Sequence, residues 1–153
     1  MTRPPSAAEV LAVHNLLGRY CERIDAGDFA GVGELFAHGG LAAGDLDAPA
    51  FVSGAYAVAA FYAAGTRLHD GSPRTKHMVA DIVVGDVADD GSITARSSYV
   101  VLQGVDGFPL QPIIAGRYVD RFEPGADGSW HFARRHFSVD LLGDLTHHWS
   151  GPT

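Results

Sequence analysis

The chain contains few of the residues on which common metal, cofactor and nucleic-acid sites are built. Its single cysteine, Cys21, excludes an internal disulfide and a CxxC metal knuckle. The 11 Lys and Arg residues are scattered and outnumbered by 18 Asp and Glu residues, so we expect no nucleic-acid partner. The eight histidines show no triplet at metal-ligand spacing, and HExxH, P-loop and GxGxxG motifs are missing, so we predict no metal and no cofactor.

Long apolar runs are missing as well. No segment approaches the roughly 18 to 20 apolar residues that a membrane helix needs, and no signal-peptide pattern opens the chain. We therefore expect a cytoplasmic protein with no membrane partner. The 153 residues suffice for one hydrophobic core and are too few for two. The whole of 1–153 is thus predicted to be a single domain, with loose ends at 1–5 and 149–153.

Apolar spacing in the first third of the chain predicts three helices. From Val10 to Phe29 the apolar residues recur every three or four positions, a capping box starts at Ser6, and Gly27 supplies a stop. A short second helix is expected after Asp28. A third, AYAVAAFYAAG, is expected after Ser53 and is apolar on nearly every side, which predicts that it is largely buried.

From about residue 75 the pattern of apolar residues changes from one typical of helices to one typical of strands. Four segments carry strand patterns, at 75–87, 92–104, 112–123 and 129–142, and turns rich in Gly, Asp and Pro separate them. Sequential antiparallel pairing is the economical arrangement. The chain is therefore predicted to have an α+β fold, in which the helices pack on one face of a curved antiparallel sheet.

Polar groups stand where this fold would place its core. Tyr20 and Asp25 lie on or beside the apolar stripe of the first helix, and strand periodicity puts His77, Val79, Asp81 and Val83 on one face. A carboxylate that is hydrogen-bonded to an imidazole fixes the tautomer of the imidazole, which can then act as a general base near neutral pH. The structural alternatives are that Tyr20 is a core residue, that Asp25 is a turn residue and that His77 is an ordinary hydrogen-bonded histidine.

Four segments in this order resemble the SnoaL-like branch of the nuclear transport factor 2-like superfamily: YCERIDAGDFAGVGELF, RTKHMV, GRYVDRFE and WHFARRHFSVDLLGDLTHH. The resemblance implies a cone-shaped fold, in which a strongly bent antiparallel sheet and the N-terminal helices enclose one pocket. Within that superfamily the chain resembles the scytalone dehydratase, bile-acid dehydratase and hexachlorocyclohexane dehydrochlorinase type. The working aspartate and histidine of that type match Asp25 and His77. Tyr20 matches a tyrosine of the bile-acid dehydratases, and Arg135 is similar to a pocket arginine of the dehydrochlorinase.

The resemblance implies a cofactor-independent acid–base enzyme acting on a small hydrophobic ring compound of polyketide, steroid or terpenoid type. A dehydratase is favoured, in which His77 takes a proton, Asp25 orients the imidazole, and Tyr20 or Arg135 assists the developing oxyanion. Residues 113–115 are apolar where scytalone dehydratase would have a second pocket histidine, so its own substrate is not predicted. Four aromatic residues are expected to line the pocket: Phe36, Phe61, Tyr99 and Tyr118.

The sequence is also compatible with other functions. An isomerase or cyclase would use the same dyad, whereas a ligand-binding module or an assembly subunit would not need it. Asp81 and Asp120 are expected at the rim or surface, and His147 and His148 in a polar tail. An apolar outer sheet face would favour a homo-oligomer, and its expected members are Val100, Leu102, Phe137 and Val139.

Overall fold

Residues 1–151, which the computed structural model describes, form three helices and six strands. In chain order these are α1 (Ala7–Ala26), α2 (Phe29–Leu35), β1 (Gly40–Ala42), β2 (Val52–Ser53), α3 (Ala55–Gly65), β3 (Thr75–Val87), β4 (Ile93–Val105), β5 (Phe108–Pro124) and β6 (Trp130–Leu142). No helix within this described range is long and apolar enough to cross a membrane.

The caps of α1 are those that the sequence predicts. The Ser6 side chain accepts a hydrogen bond from the backbone N–H of Glu9, and the Glu9 carboxylate accepts one from the backbone N–H of Ser6. Gly27 ends the helix in the left-handed region with φ 74°. Between these caps one stripe of the helix is buried: Val13, Leu16, Leu17, Tyr20 and Ile24. The stripe faces the sheet and fixes where the end of α1 lies.

The third helix differs from its prediction in two ways. Its N-cap is Gly54, which forms no side-chain cap, while Ser53 lies in β2. Only Val58 and Gly65 are fully buried in α3, and Tyr56 is 89% exposed. The prediction of a largely buried helix is wrong because alanine is apolar yet small, so an alanine-rich helix exposes little apolar surface when only one side packs.

The long strands pair in sequence. The sheet order is β2-β1-β6-β5-β4-β3, and the neighbours from β3 to β6 are antiparallel, as predicted. At the other edge β1 runs parallel to β6, with Leu41 opposite Arg135, so the sheet is mixed instead of purely antiparallel. A long stretch of chain separates these two strands, so no hairpin turn dictates their relative direction.

A β-bulge in β3 changes which side chains face the helices. The register with β4 shifts between Ala80 and Val83, and Asp81 has φ 52°. Beyond the bulge Ile82 and Val84 pack against the core, whereas Val83 is 52% exposed. The predicted uninterrupted alternation is therefore wrong after Val79, although Asp81 is exposed, as expected for a surface residue.

Both ends of the described chain are anchored, where the sequence predicted loose ends. Near the start, Arg3 exchanges two backbone hydrogen bonds with Val87. Near the end, the backbone N–H of Ser150 donates to the carbonyl oxygen of Gly65 at 2.8 Å. Composition signals loose ends, but backbone pairing with a distant segment is invisible to it. Residues 152–153, part of the predicted loose end, lie outside the described range.

Candidate active site

A cavity of about 600 Å³ lies between the helices and the inner face of the sheet. Its wall is mostly aromatic and aliphatic, and α1, α3, the four long strands and the segment after β6 all contribute to it. Among the residues predicted as lining, Phe61, Tyr99 and Tyr118 belong to this wall. A cavity of this size and polarity suits an organic ligand of several rings.

Three expected positions are wrong. Phe36 stacks on Phe132 at a centroid distance of 4.7 Å and is fully buried in the core beside the cavity, not in its wall. Phe137 and Val139 were expected on the outer face of the sheet, but they line the cavity. Register shifts in the pairing of β5 with β6 move residues between faces, which strict alternation does not anticipate.

Asp25 and His77 meet at the edge of the cavity. Asp25 comes from the last turn of α1, and His77 lies in β3. The imidazole Nδ1 is 2.6 Å from Oδ1 of Asp25, and the backbone N–H of His77 donates to Oδ2 at 2.9 Å. The hydroxyl of Thr75 donates to Oδ1 at 2.9 Å. The side chains of His77 and Asp25 are only 7% and 13% exposed, so the pair is held in one geometry.

The surroundings of Asp25 keep its carboxyl ionised. Burial raises the pKa of Asp25, but the hydrogen bonds from His77 and Thr75 outweigh burial and hold that pKa below its ordinary value. A carboxylate accepts hydrogen bonds and donates none, so Nδ1 of His77 carries the proton that they share. The lone pair of the neutral ring is then on Nε2. His77 lines the cavity, so this basic nitrogen is available to a ligand.

Two tyrosines stand beside the dyad. The hydroxyls of Tyr20 and Tyr62 are 3.0 Å apart, and the ring of Tyr20 meets that of His77 edge to face at 6.0 Å. Burial raises the pKa of both phenols, so each remains a neutral hydrogen-bond donor. Tyr62 was not predicted as a site residue. Its signal was the Phe61–Tyr62 pair, the bulkiest side chains near the end of an alanine-rich helix.

Arg135 does not reach the cavity. Its guanidinium donates to both carboxylate oxygens of Asp120 at 2.8 Å, and both side chains are 1% exposed. The cation lies 3.7 Å from the ring centroid of Tyr118 and 4.3 Å from that of Tyr20. Arg135 therefore stands behind the tyrosine wall, and the expectation that it touches a substrate is wrong.

Asp120 is likewise buried, against the expectation of a rim or surface position. It is paired directly with Arg135 in the register of β5 and β6, so both side chains project to the same face. Burial raises the pKa of Asp120, which Arg135 opposes. The two parallel hydrogen bonds from the guanidinium keep this carboxylate ionised at neutral pH. The sequence offered one clue, a charged residue on an inward-facing position of each strand.

A second imidazole enters the cavity wall from an unexpected direction. His148 was assigned to a polar tail, but it lines the cavity together with Trp149. Burial, and then the nearby His77, lower the pKa of His148 to about 4. The ring is therefore neutral at pH 7. Within residues 1–151 no group of three or more His, Cys, Asp or Glu side chains could hold a metal ion.

The fold defines a class: small α+β proteins with the nuclear transport factor 2-like fold. In this chain the helices and the sheet surround a cavity of ligand size. Within this class the chain belongs to the SnoaL-like domain family, whose model matches residues 5–136. No curated protein matches the chain in sequence.

Solved structures share this fold. Rv3472 of Mycobacterium tuberculosis, a protein of unknown function, is 26% identical, with a TM-score of 0.69 over 88% of this chain and 73% of that one. ActVI-ORFA of Streptomyces coelicolor is 24% identical, with a TM-score of 0.71 over 88% of this chain and 98% of that one. A protein of Novosphingobium aromaticivorans described as a candidate scytalone dehydratase is 18% identical, with a TM-score of 0.67 over 90% of this chain and 87% of that one. At these identities the likeness establishes the fold.

Proposed function

We propose that the protein is a cofactor-independent acid–base enzyme that removes water from a small hydrophobic ring ketone, with Asp25 and His77 as its catalytic dyad. One observation carries this proposal. The imidazole, held by a carboxylate at 2.6 Å, lines an apolar cavity of about 600 Å³. A histidine with a purely structural role does not have to line a cavity. A cavity that only binds a ligand does not require an ionised carboxylate hydrogen-bonded to its histidine.

The first step is removal of a proton from the carbon next to the substrate carbonyl. Nε2 of His77 takes the proton, and the carboxylate of Asp25 stabilises the imidazolium that forms. The electron pair of the broken C–H bond moves onto the carbonyl oxygen, which becomes an enolate. A general base of this kind accelerates a reaction by about 10²- to 10⁴-fold.

The tyrosine pair stabilises the enolate oxygen. Tyr20 donates its hydroxyl hydrogen to the oxygen of Tyr62, and Tyr62 donates to the substrate, since Tyr20 is the more deeply buried. Arg135 acts through these rings and is a positioning residue. Its charge opposes the effect of burial on the pKa of Tyr20, which makes that phenol a better donor.

The second step expels the hydroxyl group from the next carbon. The enolate electrons form the new carbon–carbon double bond as the carbon–oxygen bond breaks. The imidazolium of His77 returns its proton to the departing oxygen, which leaves as water, and the dyad regains its first state. No oxidant, reductant or metal takes part in this sequence, so the atoms and charges balance with the substrate and the dyad alone.

The probe for this activity is 3-hydroxy-1-tetralone, a bicyclic β-hydroxy ketone that becomes 1-naphthol when it loses water. Release of 1-naphthol by the purified protein is followed by fluorescence. We expect His77→Gln to lower the rate by about 10²- to 10⁴-fold, and Asp25→Asn to lower it as well. His14→Gln is the matched control, because His14 is exposed on α1.

Alternative functions give other outcomes in the same experiment. Deuterium exchange next to the carbonyl without release of 1-naphthol would indicate an isomerase or cyclase that uses the same dyad. Saturable binding that His77→Gln leaves unchanged, with neither exchange nor elimination, would indicate a ligand-binding module. Either result would overturn the dehydratase assignment.

A further inference from the structure

The segment after β6 folds back and is held against the end of α3. We call residues 145–151 the C-terminal strap. The carbonyl oxygen of His148 accepts a hydrogen bond from the backbone N–H of Arg67 at 2.8 Å, and Ser150 donates to Gly65. On the other side, the side-chain amide of Gln103, itself fully buried, donates to the carbonyl oxygen of His147 at 3.0 Å. These contacts fix the strap on both sides of His148.

The ring of His148 has unused hydrogen-bonding capacity. Nδ1 is buried and has no partner in the part of the chain that the structure describes, and no described residue bonds to Nε2. The ring as a whole is only partly buried and lines the cavity. Its accessible edge is therefore the Nε2 side. A buried polar atom without a partner is uncommon in folded proteins and points to a missing ligand or to a functional constraint.

The position of the ring proton follows from these contacts. A neutral imidazole carries one N–H, and an N–H at Nδ1 would be buried with no acceptor. At Nε2 the same N–H can bond to whatever occupies the cavity. His148 is neutral at pH 7, since burial and the neighbouring His77 lower its pKa to about 4. The strap thus presents a neutral N–H donor to the cavity that His77 also lines.

We propose that His148 binds the substrate by donating its Nε2–H to the carbonyl oxygen. This deepens the proposed function, because it rests on the same cavity and adds a second donor to the oxygen that becomes an enolate. The donor also selects the class of substrate. No Lys or Arg among the described residues lines the cavity, so a carboxylate would find no cationic partner there. The preferred ligand is an uncharged ring compound with a carbonyl group.

Paired probes isolate this hydrogen bond. 1-Tetralone and tetralin share a ring system and differ in the carbonyl oxygen, and calorimetry gives the affinity of the protein for each. We expect wild type to prefer the ketone and His148→Phe to reduce that preference by about 3- to 10-fold. His148→Gln, which restores an N–H donor, should retain most of it. His147→Phe is the control, since His147 faces a different concavity on the surface.

Two results would overturn the proposal. One is a wild-type protein that binds both probes equally. The other is a His148→Phe variant that keeps the full preference for the ketone. Binding does not depend on turnover, so the two proposals fail separately. A protein that selects the ketone through His148 but never forms 1-naphthol would keep this inference and lose the dehydratase.

A measurement on the wild-type protein avoids any effect of substitution on folding. Nitrogen-15 NMR distinguishes the two tautomers of a neutral imidazole. We expect His148 to carry its proton on Nε2 from pH 8 down to pH 5, and its Nε2 signal to shift when 1-tetralone is added but not with tetralin. A proton on Nδ1, or equal shifts with both probes, would contradict the proposal.

Discussion

Removal of the negative charge from Asp120 should destabilise the protein strongly. The Asp120 and Arg135 side chains are 1% exposed and joined by two hydrogen bonds of 2.8 Å. Burial alone would lower the pKa of Arg135, but Asp120 holds it well above its ordinary value, so the guanidinium stays charged. In Asp120→Asn this charge is left in the interior without its counter-ion.

The size of the effect follows from the burial. Breaking a buried ion pair by removing one partner costs about 3–5 kcal/mol, because the remaining charge is not solvated. For a domain of this length that loss lowers the melting temperature by about 6–20 °C. It is a large fraction of the roughly 5–15 kcal/mol that stabilises a typical domain. Urea denaturation followed by circular dichroism measures the difference, with thermal melting as a second observable.

The same two strands provide a matched control. Arg117 in β5 and Asp140 in β6 also form two hydrogen bonds, at 2.8 and 2.9 Å, but their side chains are 66% and 40% exposed. Solvent screens this pair, so Asp140→Asn should leave the unfolding midpoint unchanged within error. Equal, small effects of Asp120→Asn and Asp140→Asn would refute the reasoning.

A double variant separates charge from packing. Asp120→Leu combined with Arg135→Met removes both charges and keeps much of the side-chain volume. Replacement of a buried ion pair by apolar residues is often neutral or stabilising, so the double variant should be more stable than Asp120→Asn. If it is less stable, the packing of Arg135 against the tyrosine rings, and not its charge, holds this region together.

Three further changes test other parts of the structure. The pKa of Asp25 is lowered in the folded protein, so its carboxylate contributes stability above the ordinary aspartate pKa of about 3.9 and loses it as pH falls through the folded pKa. In urea denaturation between pH 5 and pH 2, the stability of Asp25→Asn should therefore fall less steeply with pH than that of wild type, and equal slopes would contradict this. A Cβ at Gly65 would overlap the ring of Trp149, so Gly65→Ala should cost about 1–3 kcal/mol and shift the tryptophan fluorescence; an unchanged spectrum would count against the packing of the strap. Gly18 lies in α1 with nothing near its missing side chain, so Gly18→Ala should stabilise the protein by about 0.5–1 kcal/mol in the same denaturation assay, and a loss of stability would be the opposite result.

Local chemistry was readable from the sequence because it depends on neighbours a few positions apart. The capping box at Ser6 and the stop at Gly27 both lie where the pattern put them. The strand beginning at Thr75 has the predicted bounds, and the other three long strands agree within a few residues. Turn residues and hydrophobic period are sufficient for this much of an α+β fold.

The sequence also identified the types of residue in the site, but it did not show that they are in contact. Asp25 and His77 are 52 positions apart. A family resemblance could associate them, whereas the hydrogen bond of 2.6 Å exists only because the end of α1 packs against the start of β3. A helix terminus and a strand terminus come together through burial of their apolar faces, which no local pattern describes.

Tertiary structure alone decided the rest. The bulge at Asp81 changed the faces of β3, and strand register put Arg135 against Asp120, out of reach of a substrate. The strap carried His148 from an apparent polar tail into the cavity wall. The sequence by itself determined the helices, the long strands and the residue types that could act as acid and base. Which side chains face one another depends on register and on backbone pairing between distant segments, and these are properties of the assembled chain.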